Sequence, residues 1–116
     1  MRVVSSKVFR FKQEEKIRDP QDFRKVMRFG KKLPSKNFIL FTRRNDKQVQ
    51  RLGIVISKEV GKATYRNRVK RLVREFFRLN KHRMGGALDV VILVRKGCAL
   101  NRYGETEAEL RRLFAL

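Results

Sequence analysis

A strand that leads into a long helix is predicted by RLGIVISKEVGKATYRNRVKRLVREFFRL, residues 51–79. The segment Arg51–Ser57 is rich in β-branched and aliphatic side chains, which is typical of a β-strand. A loop around Gly61 follows. From Thr64 to Leu79 the apolar residues recur with the period of an amphipathic helix. The rest of the chain is best interpreted around this strand and helix.

The predicted helix has an apolar face beside a face of almost uniform positive charge. Its apolar arc consists of Val69, Leu72, Val73 and Phe76. The adjacent arc consists of Arg66, Asn67, Lys70, Arg71, Arg74 and Arg78. Cations four residues apart repel one another, and cations in a first turn oppose the helix dipole. A bound anion would offset both costs, and the free N–H groups of a first turn also bind phosphate. We therefore predict a nucleic-acid-binding face; the alternative is an ordinary solvated face.

Flanking segments supply the remaining elements. Asp19-Pro20 is a favourable helix start, and Gly30 is a natural end for that helix. Strands are predicted at Asn37–Arg43 and Leu88–Val94, and a last helix at about 103–116. This order indicates an α+β or α/β sandwich around one sheet. We expect a single domain over residues 1–116, with residues 1–18 as an extended N-terminal arm.

Composition favours a polyanionic partner. The 116 residues include 31 Lys or Arg and 11 Asp or Glu, which gives a net charge of +20. One cysteine, Cys98, rules out an internal disulfide or a cysteine-based zinc site and fits a reducing, cytosolic setting. One histidine, His82, rules out a two-histidine acid–base pair. The longest apolar run, at 87–94, is interrupted by Asp89 and is too short to span a membrane.

Three carboxylates stand near the start of the last predicted helix: Glu105, Glu107 and Glu109. They could suggest a metal site, but alternate positions spread around a helix rather than converge. We therefore expect them to interact with the positive end of the helix dipole.

Residues 51–77 closely resemble the signature of the bacterial ribonuclease P protein subunit. The triplet Arg66-Asn67-Arg68, continued by Lys70, Arg71 and Arg74, is similar to the arginine–asparagine–arginine motif of that family. The resemblance extends to FKQEEKIR at 11–18, DFRKV at 22–26, NFILF at 37–41 and DVVI at 89–92. It therefore covers about residues 9–115.

The resemblance implies a fold of order α-β-β-β-α-β-α with one mixed sheet and an unusual left-handed βαβ crossover. It also implies a ribonucleoprotein, ribonuclease P, that removes the 5′ leader of precursor transfer RNA by endonucleolytic cleavage. In such a complex the catalytic RNA subunit carries the chemistry, and Mg²⁺ is held mainly by RNA and substrate. The protein would then have no catalytic residue, no metal site and no small-molecule cofactor. Its expected location is the cytoplasm, away from membranes.

Matching positions in the family imply two sets of contacts. The RNA-binding set comprises Lys58, Lys62, Arg66, Asn67, Arg68, Lys70, Arg71 and Arg74. The set for a leader-binding cleft between the first helix and the sheet comprises Phe23, Met27, Ile39 and Phe41. Spacing puts the members of each cleft pair on one face of its helix or strand, and unpaired bases stack well on such side chains. The alternative for each cleft residue is plain core packing.

Two other classes of function remain as alternatives. A structural protein of the ribosomal type shares the small size, the basicity and a mixed sheet, but it gives no reason for an apolar cleft beside a phosphate-binding helix. A protein that binds anionic membranes is disfavoured because the basic helix already has its apolar face committed to a core and tryptophan is absent.

Overall fold

A computed structural model describes residues 13–116. Its helices and strands, in chain order, are α1 (Pro20–Phe29), β1 (Lys31–Pro34), β2 (Phe38–Arg44), β3 (Arg51–Val55), α2 (Ala63–Asn80), β4 (Leu88–Val94) and α3 (Tyr103–Phe114). Short 3₁₀ turns lie at Gln13–Glu15, Lys58–Val60 and Lys81–Arg83. Within these described residues no helix is long and apolar enough to cross a membrane.

The strands form one mixed sheet in the order β1-β2-β4-β3. The pairs β1–β2 and β2–β4 are antiparallel, whereas β3 and β4 are parallel neighbours joined through α2. This arrangement is an α+β fold with the element order that the family resemblance implies. The predicted α+β class with one mixed sheet is therefore confirmed, while the left-handed crossover stays a prediction.

The main core lies on the sheet face that packs against α2 and α3. Alternate strand residues such as Phe38, Leu40 and Ile92 point into it. They meet the apolar side of α2, where Val69, Val73, Phe76 and Phe77 are buried. The helix therefore hides one face and leaves its cationic face at the surface, as its periodicity predicts.

The opposite sheet face is covered in part by α1. Asp19 caps this helix by accepting a 2.9 Å hydrogen bond from the Gln21 N–H, and Pro20 occupies the first helical position. At the other end, a Cβ on Gly30 would lie 2.4 Å from the Val26 carbonyl oxygen and 2.6 Å from that of Thr42. Only glycine permits this close approach, so the helix stops here and β1 begins at the next residue.

Local signals in the sequence did not predict β1. Its four residues include three that are exposed, so the segment has no apolar alternation to reveal a strand. Pairing with β2 makes it a strand: Leu33 lies opposite Leu40, and Pro34 lies opposite Ile39. Proline is tolerated because β1 is an edge strand.

Part of the predicted N-terminal arm packs on the sheet. The Ile17 side chain is buried, and its N–H donates a 3.0 Å hydrogen bond to the Leu52 carbonyl. Lys16 forms a parallel bridge with Leu52, after the 3₁₀ turn at Gln13–Glu15. Residues 1–12 of the arm lie outside the described residues, so the arm's overall form stays a prediction.

A buried ion-pair network fixes the start of α1 to the sheet. The Arg51 guanidinium donates to both carboxylate oxygens of Asp89 at 2.8 and 2.6 Å and lies 3.3 Å from Asp22 of α1. Asn45 adds a 2.8 Å hydrogen bond to Asp89. These contacts raise the pKa of Arg51, with the Asp89 bond as the main cause. Burial alone would raise the pKa of Asp89, but the Arg51 and Asn45 bonds outweigh it and lower that pKa.

Two carboxylates of α3, Glu105 and Glu109, have different roles. Glu105 is at the first turn, where it accepts from the N–H groups of Asn101 and Arg102, which lower its pKa. Glu109 is buried and accepts from the Asn37 N–H and side-chain amide, both at 2.7 Å, and from the Ser35 hydroxyl. The dipole interaction predicted for Glu109 is therefore replaced by an anchor that fixes the loop between β1 and β2.

Candidate nucleic-acid interface

The cationic side of α2 forms a surface with hardly any negative charge. Asn67, Arg68, Arg71 and Arg74 are exposed, while Arg66 and Lys70 are half-buried. Within residues 13–116, no carboxylate forms an ion pair with any of these five cations. The one acid on the helix, Glu75, is held by Arg78, which lowers the pKa of Glu75. The face is thus available to an external anion.

At the start of α2, backbone N–H groups also favour the binding of an anion. The residue in the capping position, Lys62, provides no side-chain cap, and the first turn contains no acid. The N–H groups of this turn therefore lack the acceptor that a Ser, Thr or Asp cap would supply. Lys62 and Lys58 are exposed beside this end, so lysine charges add to the partial positive charge of the helix terminus.

Two side chains hold the N-terminal part of α2 in position. The Tyr65 hydroxyl donates to the Cys98 carbonyl at 3.0 Å and accepts from the Leu100 N–H at 2.8 Å. Burial is the main cause of the raised pKa of Tyr65. Arg68 donates to the carbonyl of Asn101 in the same loop. The cationic face is therefore fixed to the segment that follows β4.

The Nε atom of Arg66 is buried and has no hydrogen-bond partner among the described residues. Buried donors are normally paired, so an unpaired one is unusual. Arg66 as a whole is half-buried, so part of the residue remains accessible at the surface.

A second apolar cluster lies between α1 and the sheet. Phe41 and Val91 form its floor, with Val26 from α1 above them, and all three are buried. Only 6% of Phe41 is exposed, so it has almost no surface on which a base could stack. The core alternative therefore describes Phe41, and a ligand in this cleft would contact its neighbours instead.

Half-buried side chains form the open part of this cleft. Phe23 and Met27 contribute from α1, and Ile39, Leu93 and Val55 contribute from the sheet. The strand register places Ile39 opposite Leu93 and Leu93 opposite Val55, so these three form a row across β2, β4 and β3. The structure thus brings Phe23, Met27 and Ile39 together as predicted.

Val55 and Leu93 were not among the predicted cleft residues. Alternation within β3 and β4 could have suggested them, because Val55 and Leu93 lie on the same side as Gly53 and Val91 in their strands. What the sequence lacks is the register that aligns those strands with Ile39.

Gly53 was likewise not among the predicted cleft residues. A Cβ at this position would lie 2.4 Å from the Cε1 atom of Phe23 and 2.6 Å from its Cζ. The ring of Phe23 therefore packs directly against the backbone of β3, which only glycine allows.

The cleft and the cationic face meet at the open edge of β3. A depression of about 190 Å³ is lined by Phe23 and Gly53 from the cleft, by Ile54, and by Lys70 and Arg74 from α2. Lys16 and Ile17 of the N-terminal segment complete its wall, together with Leu52. The two sets of predicted contacts are therefore parts of one continuous surface.

Known proteins of one family resemble this chain in sequence along most of its length. Residues 11–116 match the family model described as ribonuclease P. A ribonuclease P protein component from Syntrophus aciditrophicus is 37% identical over 85% of this chain and 83% of its own length. One from Clostridium acetobutylicum is 38% identical over 88% of this chain and 87% of its own.

Solved structures show the same fold. The ribonuclease P protein from Staphylococcus aureus superposes with a TM-score of 0.80 at 26% identity, covering 87% of this chain and 93% of that one. The protein from Thermotoga maritima gives 0.77 at 35% identity, covering 86% and 94%. Because the family model matches all of the described residues and the relatives align along most of their length, this chain belongs to the ribonuclease P protein family.

Proposed function

We propose that this chain is the protein subunit of a ribonuclease P ribonucleoprotein and assists removal of the 5′ leader from precursor transfer RNA. The observation that carries the proposal is the junction at the β3 edge. There Lys70 and Arg74 of a cationic helix line the same depression as Phe23 of an apolar cleft. A surface of this kind suits a strand whose phosphates need cations and whose unpaired bases need apolar partners.

The two parts of the surface have different roles in this proposal. The cationic face of α2, with Lys58 and Lys62, binds folded catalytic RNA through its phosphates. The cleft formed by Phe23, Met27, Ile39, Val55 and Leu93 binds the single-stranded leader by stacking and apolar contact. Because the leader is absent from mature transfer RNA, the cleft favours substrate over product.

The chemical step is assigned to the RNA subunit, with Mg²⁺ held by RNA and substrate. The carboxylates of residues 13–116 do not form a cluster that could bind a metal ion. Asp89 and Glu109 are instead engaged by Arg51 and Asn37 respectively. In this proposal the metal ions are bound by RNA and substrate, and the complex acts in the cytoplasm.

Reconstitution tests the proposal directly. The full chain is mixed with a bacterial ribonuclease P RNA and a precursor transfer RNA at a magnesium concentration too low for the RNA alone. We expect cleavage at the mature 5′ end to depend on the protein. A matched variant, Arg66→Gln/Lys70→Gln/Arg74→Gln, should require much more protein for the same rate. If the wild-type chain gives no stimulation, the proposed function is wrong, and a structural protein of the ribosomal type becomes the better interpretation.

A further inference from the structure

The last residue of α1 is an exposed phenylalanine. Phe29 has 65% of its surface exposed and is the one large apolar side chain left exposed within residues 13–116. Single exposed apolar side chains are common on protein surfaces, so this fact carries no function by itself. Its surroundings are more specific.

Two guanidinium groups are gathered around the Phe29 ring. The Cζ atom of Arg28 lies 5.3 Å from the ring centroid, and that of Arg43 lies 5.7 Å from it. Both distances are within the range of cation–π attraction. Arg43 belongs to β2, so this is a tertiary contact that holds the ring and two cations together. No carboxylate within the described residues forms an ion pair with Arg28 or Arg43.

Arg28 and Phe29 also continue the leader-binding cleft onto the outer surface of α1. A shallow depression there is lined by Met27, Arg28 and Phe29, with Gln21, Arg24 and Lys25 along its length. Met27 also belongs to the apolar cluster of the cleft. A strand that leaves the cleft past Met27 would therefore reach Phe29 without crossing a negatively charged surface.

We propose that Phe29, Arg28 and Arg43 form a second subsite for single-stranded RNA, which holds leader nucleotides beyond those in the cleft. This proposal rests on the proposed function, because the leader is the strand assigned to the cleft. The two guanidinium groups, which form no ion pair within the described part of the chain, donate hydrogen bonds to phosphodiester oxygens. The ring and the guanidinium planes offer stacking surfaces for an unpaired base.

Charge selects this occupant over a protein or lipid partner. The site combines one exposed ring with two cations that form no ion pair within residues 13–116, whereas a protein-binding groove needs a larger contiguous apolar patch. Membrane binding would need several apolar side chains on one exposed helix face, and α1 exposes Phe29 alone among its large apolar residues.

The test measures affinity of the reconstituted holoenzyme for precursor transfer RNAs whose leaders are lengthened one nucleotide at a time. Phe29→Leu removes the aromatic ring while keeping apolar bulk, and Phe29→Trp keeps an aromatic surface. Phe23→Leu reports on the cleft. All variants are first checked for a wild-type melting temperature, which the exposure of Phe29 makes achievable at that position.

We expect Phe29→Leu to bind long-leader substrate about five- to one-hundred-fold more weakly, as for a lost stacking contact. Short-leader substrate should bind as in the wild type. The loss should begin at a longer leader than the loss caused by Phe23→Leu, and Phe29→Trp should restore binding. Arg43→Gln should weaken the same long-leader complexes, whereas Arg112→Gln, an equal loss of charge on exposed α3 surface, should not.

Wild-type affinity of Phe29→Leu at every leader length would overturn the subsite, and so would a loss that is independent of leader length. In the first case the loss for Phe23→Leu would still support the proposed function. If the chain forms no active holoenzyme at all, the proposed function fails and the subsite fails with it.

Discussion

The ring of Phe23 packs so tightly on Gly53 that a methyl group at position 53 would come within 2.4 Å of ring atom Cε1. Phe23 belongs to α1 and Gly53 to β3, so this contact sets the distance between the helix and the sheet at the point where the cleft meets the cationic face. The width of the cleft therefore depends on residue 53 being a glycine, which has no side chain.

Gly53→Ala should disturb this contact. Since the ring must move or the strand must shift, we expect a loss of stability of about 1–3 kcal/mol, as for other overpacked sites. Affinity for precursor transfer RNA should fall more than affinity for mature transfer RNA. The measurements are urea unfolding and binding of the two RNAs by the holoenzyme. Gly104→Ala is the matched control, because nothing lies within 4 Å of a Cβ there. Wild-type stability and binding of Gly53→Ala would contradict the tight contact.

Phe41→Ala should act on stability rather than on leader recognition. The side chain is only 6% exposed and lies on the floor of the cleft, so its removal leaves a cavity that costs about 3–5 kcal/mol. We expect the melting temperature to fall steeply, while the ratio of affinities for precursor and mature transfer RNA stays near the wild-type value in protein that remains folded. Phe41→Leu, which fills more of the space, should keep the protein folded for this comparison. A selective loss of leader-dependent affinity in Phe41→Leu would show that the residue contacts the leader after all.

The sequence predicted α2 well because the pattern that identifies this helix lies entirely within its own residues. Its apolar and cationic positions repeat with the helical period, so the buried side of Val69 and Phe76 can be identified without any neighbour. The observed bounds differ from the predicted ones by a single residue at each end. The cap of α1 at Asp19-Pro20 is equally local and was predicted for the same reason.

Features that depend on strand register could not be predicted in this way. The row of Ile39, Leu93 and Val55 exists only because β4 lies between β2 and β3. The burial of Glu109 depends on Asn37, which is 72 residues earlier in the chain. The sequence alone offers each of these residues an equally good local role, such as a dipole contact for Glu109. Tertiary packing then decides between the roles.

Lowering the pH should decrease the free energy of unfolding by protonating Asp89. Its pKa is lowered in the folded protein, so the ionised carboxylate stabilises the fold above the pKa of the unfolded chain, about 4. This stabilisation is lost as pH falls through the lower, folded-state pKa. Asp89→Asn should reduce stability at neutral pH by about 3–5 kcal/mol, since Arg51 loses its buried partner. It should also flatten the acid dependence of the free energy of unfolding.

Urea unfolding at a series of pH values measures both effects of Asp89→Asn. Glu107→Gln removes an acid that belongs to no ion pair within residues 13–116, so it should keep most of the wild-type acid dependence. An unchanged acid dependence in Asp89→Asn would show that other carboxylates govern the acid transition.

Cleavage should not require the nucleophilic or basic side chains of this chain. Cys98 is buried and its pKa is raised, mainly by burial, so its thiolate is disfavoured. His82 is exposed in the 3₁₀ turn that follows α2. If RNA carries the chemistry, Cys98→Ser and His82→Ala should keep the single-turnover cleavage rate at saturating protein within about a factor of a few. A loss of several orders of magnitude in either folded, assembled variant would place chemistry on the protein.

The cationic face of α2 should determine much of the salt dependence of RNA binding. Each phosphate contact that a cation makes releases counterions, so the logarithm of RNA affinity falls linearly with the logarithm of salt concentration. Arg66, Lys70 and Arg74 recur along the helix at four-residue intervals and have no carboxylate partner within the described residues. Replacing all three with glutamine keeps their polar bulk and removes three charges. We expect the slope to become shallower by about 2–3, because each contact contributes about 0.7–0.9.

The control for this prediction removes three charges elsewhere. Lys36, Lys47 and Arg112 are exposed and lie outside α2, so their glutamine triple variant has the same net charge as the first. If the effect comes from net charge alone, both variants should show equal slopes. If α2 contacts phosphate directly, only the α2 variant should lose the full amount, because a distant exposed charge is screened over about 10 Å at 0.1 M salt. Equal slopes in two folded variants would therefore remove the assignment of this helix as the RNA-binding face.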